Sequence, residues 1–218
     1  MPEVMINGPE GRLQARYQQA EDPRAPIALM LHPHPQHGGT MNNKIVHALY
    51  HAFLRQSFSV IRFNFRGVGR SQGQYDHGQG ELSDAASVLD WLQIQNPGAD
   101  RCWIAGFSFG AWIAMQLLMR RPEIEGFVAV SPPANKFDFT FLAPCPSSGL
   151  IVHGGADDLV PEPEVAELAG KLQSQRQIEI DYEIIESAGH FYERELDTLS
   201  EMVERYVARR LQPEPAAA

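Results

Sequence analysis

Short apolar runs alternate with amphipathic segments of about ten residues or more along most of this chain, and few folds can absorb that order. Residues 27–31, 60–63, 102–105, 127–130, 150–153 and 178–185 read as strands. Helices are expected over residues 42–55, 83–92, 111–119, 163–175 and 196–210. In the first helix Ile45, Ala48, Leu49 and Ala52 share one side, and Asn96-Pro97-Gly98 closes the second. Parallel strands cannot be joined by tight turns, so the helices must serve as crossovers. The expected class is α/β: a doubly wound, mostly parallel sheet flanked by helices. Residues 4–6 and 13–17 flank Asn7-Gly8-Pro9-Glu10-Gly11 and read as a hairpin at one sheet edge. The long irregular piece, residues 131–148, is too short for a separate lid, so no cap domain is expected.

Composition narrows the function classes. The 18 Lys and Arg face 27 Asp and Glu, a formal net charge of −9, and no basic run interrupts that balance. A nucleic-acid partner is not expected. The length of 218 residues and 44% hydrophobic content fit one domain over residues 1–211, with Gln212-Pro213-Glu214-Pro215-Ala216-Ala217-Ala218 as a disordered tail. Cys102 in a strand and Cys145 in a Pro-rich turn form no disulfide framework and suit a reducing compartment. Met1-Pro2-Glu3-Val4 begins no signal peptide, and no apolar run reaches the length of about 18 residues that would span a membrane. The cytoplasm is the expected location, with no membrane partner.

The chemistry gathers at Gly106-Phe107-Ser108-Phe109-Gly110. A strand leads into this stretch and a helix leaves it, so Ser108 is expected at the tip of a tight turn. The side chains two before and two after it would press on neighbouring backbone, hence glycine at both places. A serine hydroxyl is a poor nucleophile alone. It needs an imidazole to take its proton and a carboxylate to hold that imidazole in the right tautomer. Gly154-Gly155-Ala156-Asp157-Asp158 follows one later strand, and Glu186-Ser187-Ala188-Gly189-His190-Phe191 follows the next. His190 is the expected general base, with Gly189 freeing its backbone, and Asp157 the expected acid. The neighbouring Asp158 is expected to cap the following turn or face water. The order Ser108, Asp157, His190 is that of α/β-hydrolases.

An oxyanion needs donors. One is expected from the Phe109 N–H, at the positive end of the helix. The other is expected from the loop His32-Pro33-His34-Pro35-Gln36-His37-Gly38-Gly39, where His34 alone between the two prolines has an N–H. His32, His34 and His37 lack the convergent partners of a zinc site, so no metal is expected. His32 is read as a brace at the strand end, His37 as solvent-facing or pocket-lining, and His153 as a packed, hydrogen-bonded core residue. Gly67, Gly69 and Gly73 lack the P-loop ending and the dinucleotide spacing, so no cofactor is expected. Arg66 in that loop is expected to pair with an acidic residue on a neighbouring element. Trp112 and Met115 read as core. Phe137, Phe139 and Phe141 alternate with period two and fit an edge strand, an apolar wall of an acyl pocket or a dimer contact.

Several stretches together resemble the small, lid-less bacterial α/β-hydrolases: residues 31–43, Arg62-Phe63-Asn64-Phe65-Arg66-Gly67, the Ser108 turn, residues 153–161 and Ala188-Gly189-His190-Phe191. The resemblance covers nearly the whole chain and implies an α/β-hydrolase fold, serine esterase activity and Asp157 as the triad acid. That group is related to the dienelactone hydrolases, which carry cysteine where this chain has Ser108. The expected function is hydrolysis of carboxylic esters with small or exposed acyl groups through an acyl-enzyme. A thioesterase with the same triad and a catalytically silent interaction domain are the alternatives. The expected partner is a small-molecule ester or thioester, and the expected state a monomer or homodimer.

Overall fold

Cys102 and Ile104 pack into one hydrophobic core while Trp103, Ala105 and Phe107 pack into another. Ile27, Leu29 and Leu31 part from Ala28 and Met30 in the same way. Strands apolar on both faces belong in the middle of a sheet covered on both sides. The structure, a computed structural model, describes residues 3–212, so most of the expected tail lies outside the described residues.

The chain runs β1 (Glu3–Gly8), β2 (Gly11–Gln18), β3 (Ile27–Leu31), α1 (Lys44–Arg55), β4 (Ser59–Phe63), α2 (Gln79–Gln95), β5 (Cys102–Phe107), α3 (Phe109–Leu118), β6 (Ile124–Val130), β7 (Ser148–Gly154), α4 (Glu162–Gln173), β8 (Ile180–Ile185) and α5 (Leu196–Leu211). The 8-stranded sheet has the order β1-β2-β4-β3-β5-β6-β7-β8. The first two pairings, β1 with β2 and β2 with β4, are antiparallel, and the rest are parallel. Helices α1 and α5 cover one face, and α2, α3 and α4 the other. This is the α/β-hydrolase architecture, and residues 131–147 cross from β6 to β7 with no cap domain. Among the described residues no helix is long and apolar enough to cross a membrane.

The strand centres fall where the pattern puts them, and the ends move for local reasons. Helix α1 starts at Lys44 because the Asn43 side chain accepts the Ile45 and Val46 N–H groups. Helix α2 starts at Gln79 rather than at residue 83, because the Glu81 carboxylate accepts the N–H groups of Asp76 and Gly78. Strand β6 begins earlier than expected, at Ile124, and β8 later, at Ile180. Phe137, Phe139 and Phe141 form no edge strand: a single 3-10 turn over Thr140–Leu142 interrupts an irregular segment whose prolines offer no N–H for pairing.

Candidate active site

Ser108 stands alone between β5 and α3 with φ 52° and ψ −119°. A side chain in that region is strained and persists only when its surroundings fix it. Here the Ser108 N–H donates to the Val130 carbonyl at 2.9 Å, and its own carbonyl accepts from Ala111 and Trp112. The flanking glycines are forced. A Cβ on Gly106 would lie 2.3 Å from the Gly110 carbonyl oxygen, and one on Gly110 would lie 2.4 Å from that of Leu31.

The turn aims Ser108 at the loops after β7 and β8. Its Oγ lies 3.2 Å from His190 Nε2, and His190 Nδ1 lies 2.7 Å from Asp157 Oδ2. The other carboxylate oxygen, Asp157 Oδ1, accepts the N–H groups of Leu159 and Val160 at 2.9 and 2.8 Å. Asp157 itself caps the turn that the sequence offered to Asp158, and Asp158 is exposed. Burial disfavours the charge on Asp157, but the hydrogen bonds from His190 and from the Val160 and Leu159 backbone outweigh it and hold the carboxyl below its usual range. With Nδ1–H donated to that carboxylate, the neutral imidazole presents a lone pair at Nε2, and the Ser108 hydroxyl donates to it. The His190 ring packs between Phe107 and Phe191, with centroids 5.1 and 5.2 Å away.

The loop after β3 comes up beside the same turn. Among the described residues neither the His34 N–H nor the Phe109 N–H has a hydrogen-bond partner, and the His34 and Phe109 rings pack at 5.0 Å. Three buried residues hold this loop in place. His32 Nδ1–H donates to the Pro33 carbonyl at 2.6 Å, and its Nε2 accepts the Phe65 N–H at 3.0 Å. Burial pushes the His32 pKa down to about 3, so the ring stays neutral in that double role. Asn64 Oδ1 accepts the Met41 N–H at 2.7 Å, and Arg62 Nη1 donates to the Met41 carbonyl and Asn42 Oδ1, both at 2.7 Å. His34 accepts the Gln36 N–H at Nδ1, which leaves Nε2–H for the Tyr75 hydroxyl at 3.1 Å. His37 stacks on His34 at 4.4 Å. Among the described residues no group of three His, Cys, Asp or Glu side chains is placed to hold a metal ion.

Residues 11–211 match the family described as X-Pro dipeptidyl-peptidase (S15 family). An uncharacterized protein of Rickettsia prowazekii (strain Madrid E) is 51% identical over 95% of this chain and 89% of its own length. A protein of unknown function from Agrobacterium tumefaciens, described as an alpha/beta hydrolase, has a crystal structure that is 56% identical. It covers 98% of this chain and all of its own, with a TM-score of 0.95. A lid-less α/β serine hydrolase from Xanthomonas campestris is 30% identical, covers 98% and 96% of the two chains, and has a TM-score of 0.85. The chain belongs to the S15 family, among the lid-less α/β serine hydrolases.

The hydrolase supports its histidine loop with residues that sequence reasoning passed over. Tyr192, two residues after His190, is fully buried; its hydroxyl meets Ser131 Oγ at 3.0 Å and donates to the Val152 carbonyl at 3.4 Å. Both Tyr192 and Ser131 adopt positive φ, 47° and 44°. Nothing local distinguishes Tyr192 from an exposed loop tyrosine, because its partners are distant in sequence. His153 is buried as expected, 3.0 Å from the Val160 carbonyl through Nε2, and so closes the Asp157 loop. Arg66 pairs with Asp84 of α2 through two bonds of 2.9 and 2.7 Å, and both side chains are buried. Met115 is core, but Trp112 is only half-buried: its indole N–H donates to the Asp138 carbonyl and its ring stacks on Phe137 at 4.2 Å.

Proposed function

We propose that this hydrolase cleaves carboxylic esters through an acyl-enzyme, with Ser108 as nucleophile, His190 as general base and Asp157 as its orienting acid. The observation that carries the reading is the unbroken line from Ser108 Oγ through His190 to Asp157, with steps of 3.2 and 2.7 Å. As Ser108 Oγ attacks the ester carbonyl, its proton passes to His190 Nε2. The buried Asp157 carboxylate stabilises the imidazolium that forms. The unpartnered His34 and Phe109 N–H groups receive the oxyanion. His190 then gives its proton to the departing alkoxide, and the acyl group stays on Ser108. Water enters, His190 takes its proton, and the acid leaves as Ser108 is regenerated.

Thioesters use the same parts with a thiolate as leaving group. Removal of an X-Pro dipeptide, the reaction in the family description, requires the site to meet a free α-ammonium group. The test is pre-steady-state release of p-nitrophenol from p-nitrophenyl butanoate, with a butanoyl thioester and a Gly-Pro-p-nitroanilide in parallel. A burst near one equivalent in the wild-type chain, absent in Ser108→Ala, is the expected result. Burst-free traces from both proteins on all three substrates would contradict it and favour a silent interaction domain.

A further inference from the structure

The crossover from β6 to β7 is made without an α-helix, unlike the other parallel connections of the described sheet. Residues 131–147 lie beside α4 as a thin strap, and a groove of about 790 Å³ remains between strap and helix. That size suits a small-molecule site. Phe139, Leu168 and Leu172 give it a buried apolar lining, whereas Glu167 and Lys171 at its edge are exposed and pair with each other at 2.6 Å. One end of the groove is walled by Phe137, whose ring links it to the Ser108 turn. Phe137 lines the groove, and the same ring stacks on Trp112 and meets Phe109, the residue after Ser108, edge-on at 5.9 Å. Asn135 ties that end to the Asp157 loop by donating to the Leu159 carbonyl at 3.1 Å. Apolar surface continues past it: Leu159 is 41% exposed, and Phe191, next to His190, is 48% exposed.

We propose that this groove holds the hydrocarbon chain of a medium- to long-chain acyl ester, laid from Ser108 across Phe137 and along α4 with one side open to water. The proposal rests on the esterase reading and adds the substrate class. Continuity with the Ser108 turn selects this occupant, since the half-buried rings of Trp112, on the first turn of α3, and Phe137 stack on each other and lead to the groove. A lid is not needed, because the chain lies in a trough.

The test compares p-nitrophenyl butanoate with p-nitrophenyl decanoate, both below their aggregation limits, in the wild-type chain, Lys171→Trp and Thr140→Trp. These variants fill the groove from its exposed edge on either wall, and their thermal melts check folding. Each methylene held out of water contributes roughly fourfold. On an open trough the wild type should favour decanoate by at least about tenfold in kcat/KM, and the variants should lose most of that preference while keeping butanoate hydrolysis within about twofold. Equal use of both esters by all three proteins, with Ser108 still required, would overturn the groove and leave the esterase reading intact. A second readout does not depend on turnover: 11-(dansylamino)undecanoate binding to Ser108→Ala, followed by fluorescence. Binding that Lys171→Trp weakens at least tenfold supports the groove even if no ester is cleaved. Binding unchanged by either tryptophan, or a chain that dimerises through this face and binds no probe, would overturn it.

Discussion

The loop after β3 and the strap between β6 and β7 both border Ser108, yet different forces hold them. The first is fixed by buried polar groups: His32 between the Pro33 carbonyl and the Phe65 N–H, and Asn64 and Arg62 on either side of Met41. The strap is held near the site by ring contacts, Phe137 on Trp112 and Phe109, together with side-chain bonds from Trp112 to the Asp138 carbonyl and from Asn135 to the Leu159 carbonyl. Hydrogen bonds are directional and expensive to leave unmade in the interior, so they fix atoms to within a fraction of an ångström. Ring packing tolerates sliding. The N–H groups proposed to meet a developing charge lie where buried polar side chains fix position, and the surface proposed for an apolar substrate lies where rings carry more of the packing.

The contrast can be broken at several points. The largest effect is expected at the turn both regions border: Ser108→Ala should lower ester kcat/KM by on the order of 10⁴ to 10⁶ while leaving the melting temperature nearly unchanged. On the braced side, Asp84→Ala strands the buried Arg66 guanidinium and should cost about 3–5 kcal/mol in urea unfolding. Asn64→Ala leaves the Met41 N–H without its acceptor. It should cost about 1–3 kcal/mol and reduce kcat with little change in KM, since it frees the loop that carries His34.

His32 provides a pH test of the same brace. Its folded-state pKa is near 3 and its unfolded value near 6.5, so below pH 6.5 the unfolded chain binds the extra proton. The ring's contribution to stability therefore falls with pH, by up to about 1.4 kcal/mol per unit, until the folded form titrates. Urea unfolding between pH 7 and pH 4.5 should show a slope shallower by that amount in His32→Gln than in the wild type. Equal slopes would mean that the ring is not held neutral in the fold. The smallest effect belongs to the strap. Phe137→Ala should cost about 1–2 kcal/mol and leave butanoate turnover within about threefold, because that half-buried ring meets no reacting atom.

The same division explains what the sequence could disclose. The central strands were legible because burial on both faces leaves unbroken apolar runs, and the Ser108 turn because close backbone approach admits only glycine at 106 and 110. Asp157 and His190 were legible because each lies in a loop directly beyond a recognisable strand. What stayed hidden depends on partners far along the chain or on side-chain capping. Glu81 starts α2 ahead of its apolar pattern, and Asp157 rather than Asp158 caps the following turn. Tyr192 reaches back to Ser131, and Arg62 and Asn64 reach across to Met41. Of the three readings the period-two phenylalanines allowed, only the edge strand falls away, because alternation can arise from two packing surfaces with no strand between them: Phe137 faces Trp112, and Phe139 pairs with Phe141.

The most direct measurement is covalent labelling with a fluorophosphonate, read by intact mass and peptide mapping, in the wild-type chain, His190→Ala and Ser108→Ala. Activation of Ser108 by His190 predicts one adduct per wild-type chain, mapped to Ser108, with labelling slowed by at least about a hundredfold in His190→Ala and absent in Ser108→Ala. An adduct on another residue, or equal labelling rates with and without His190, would contradict the account.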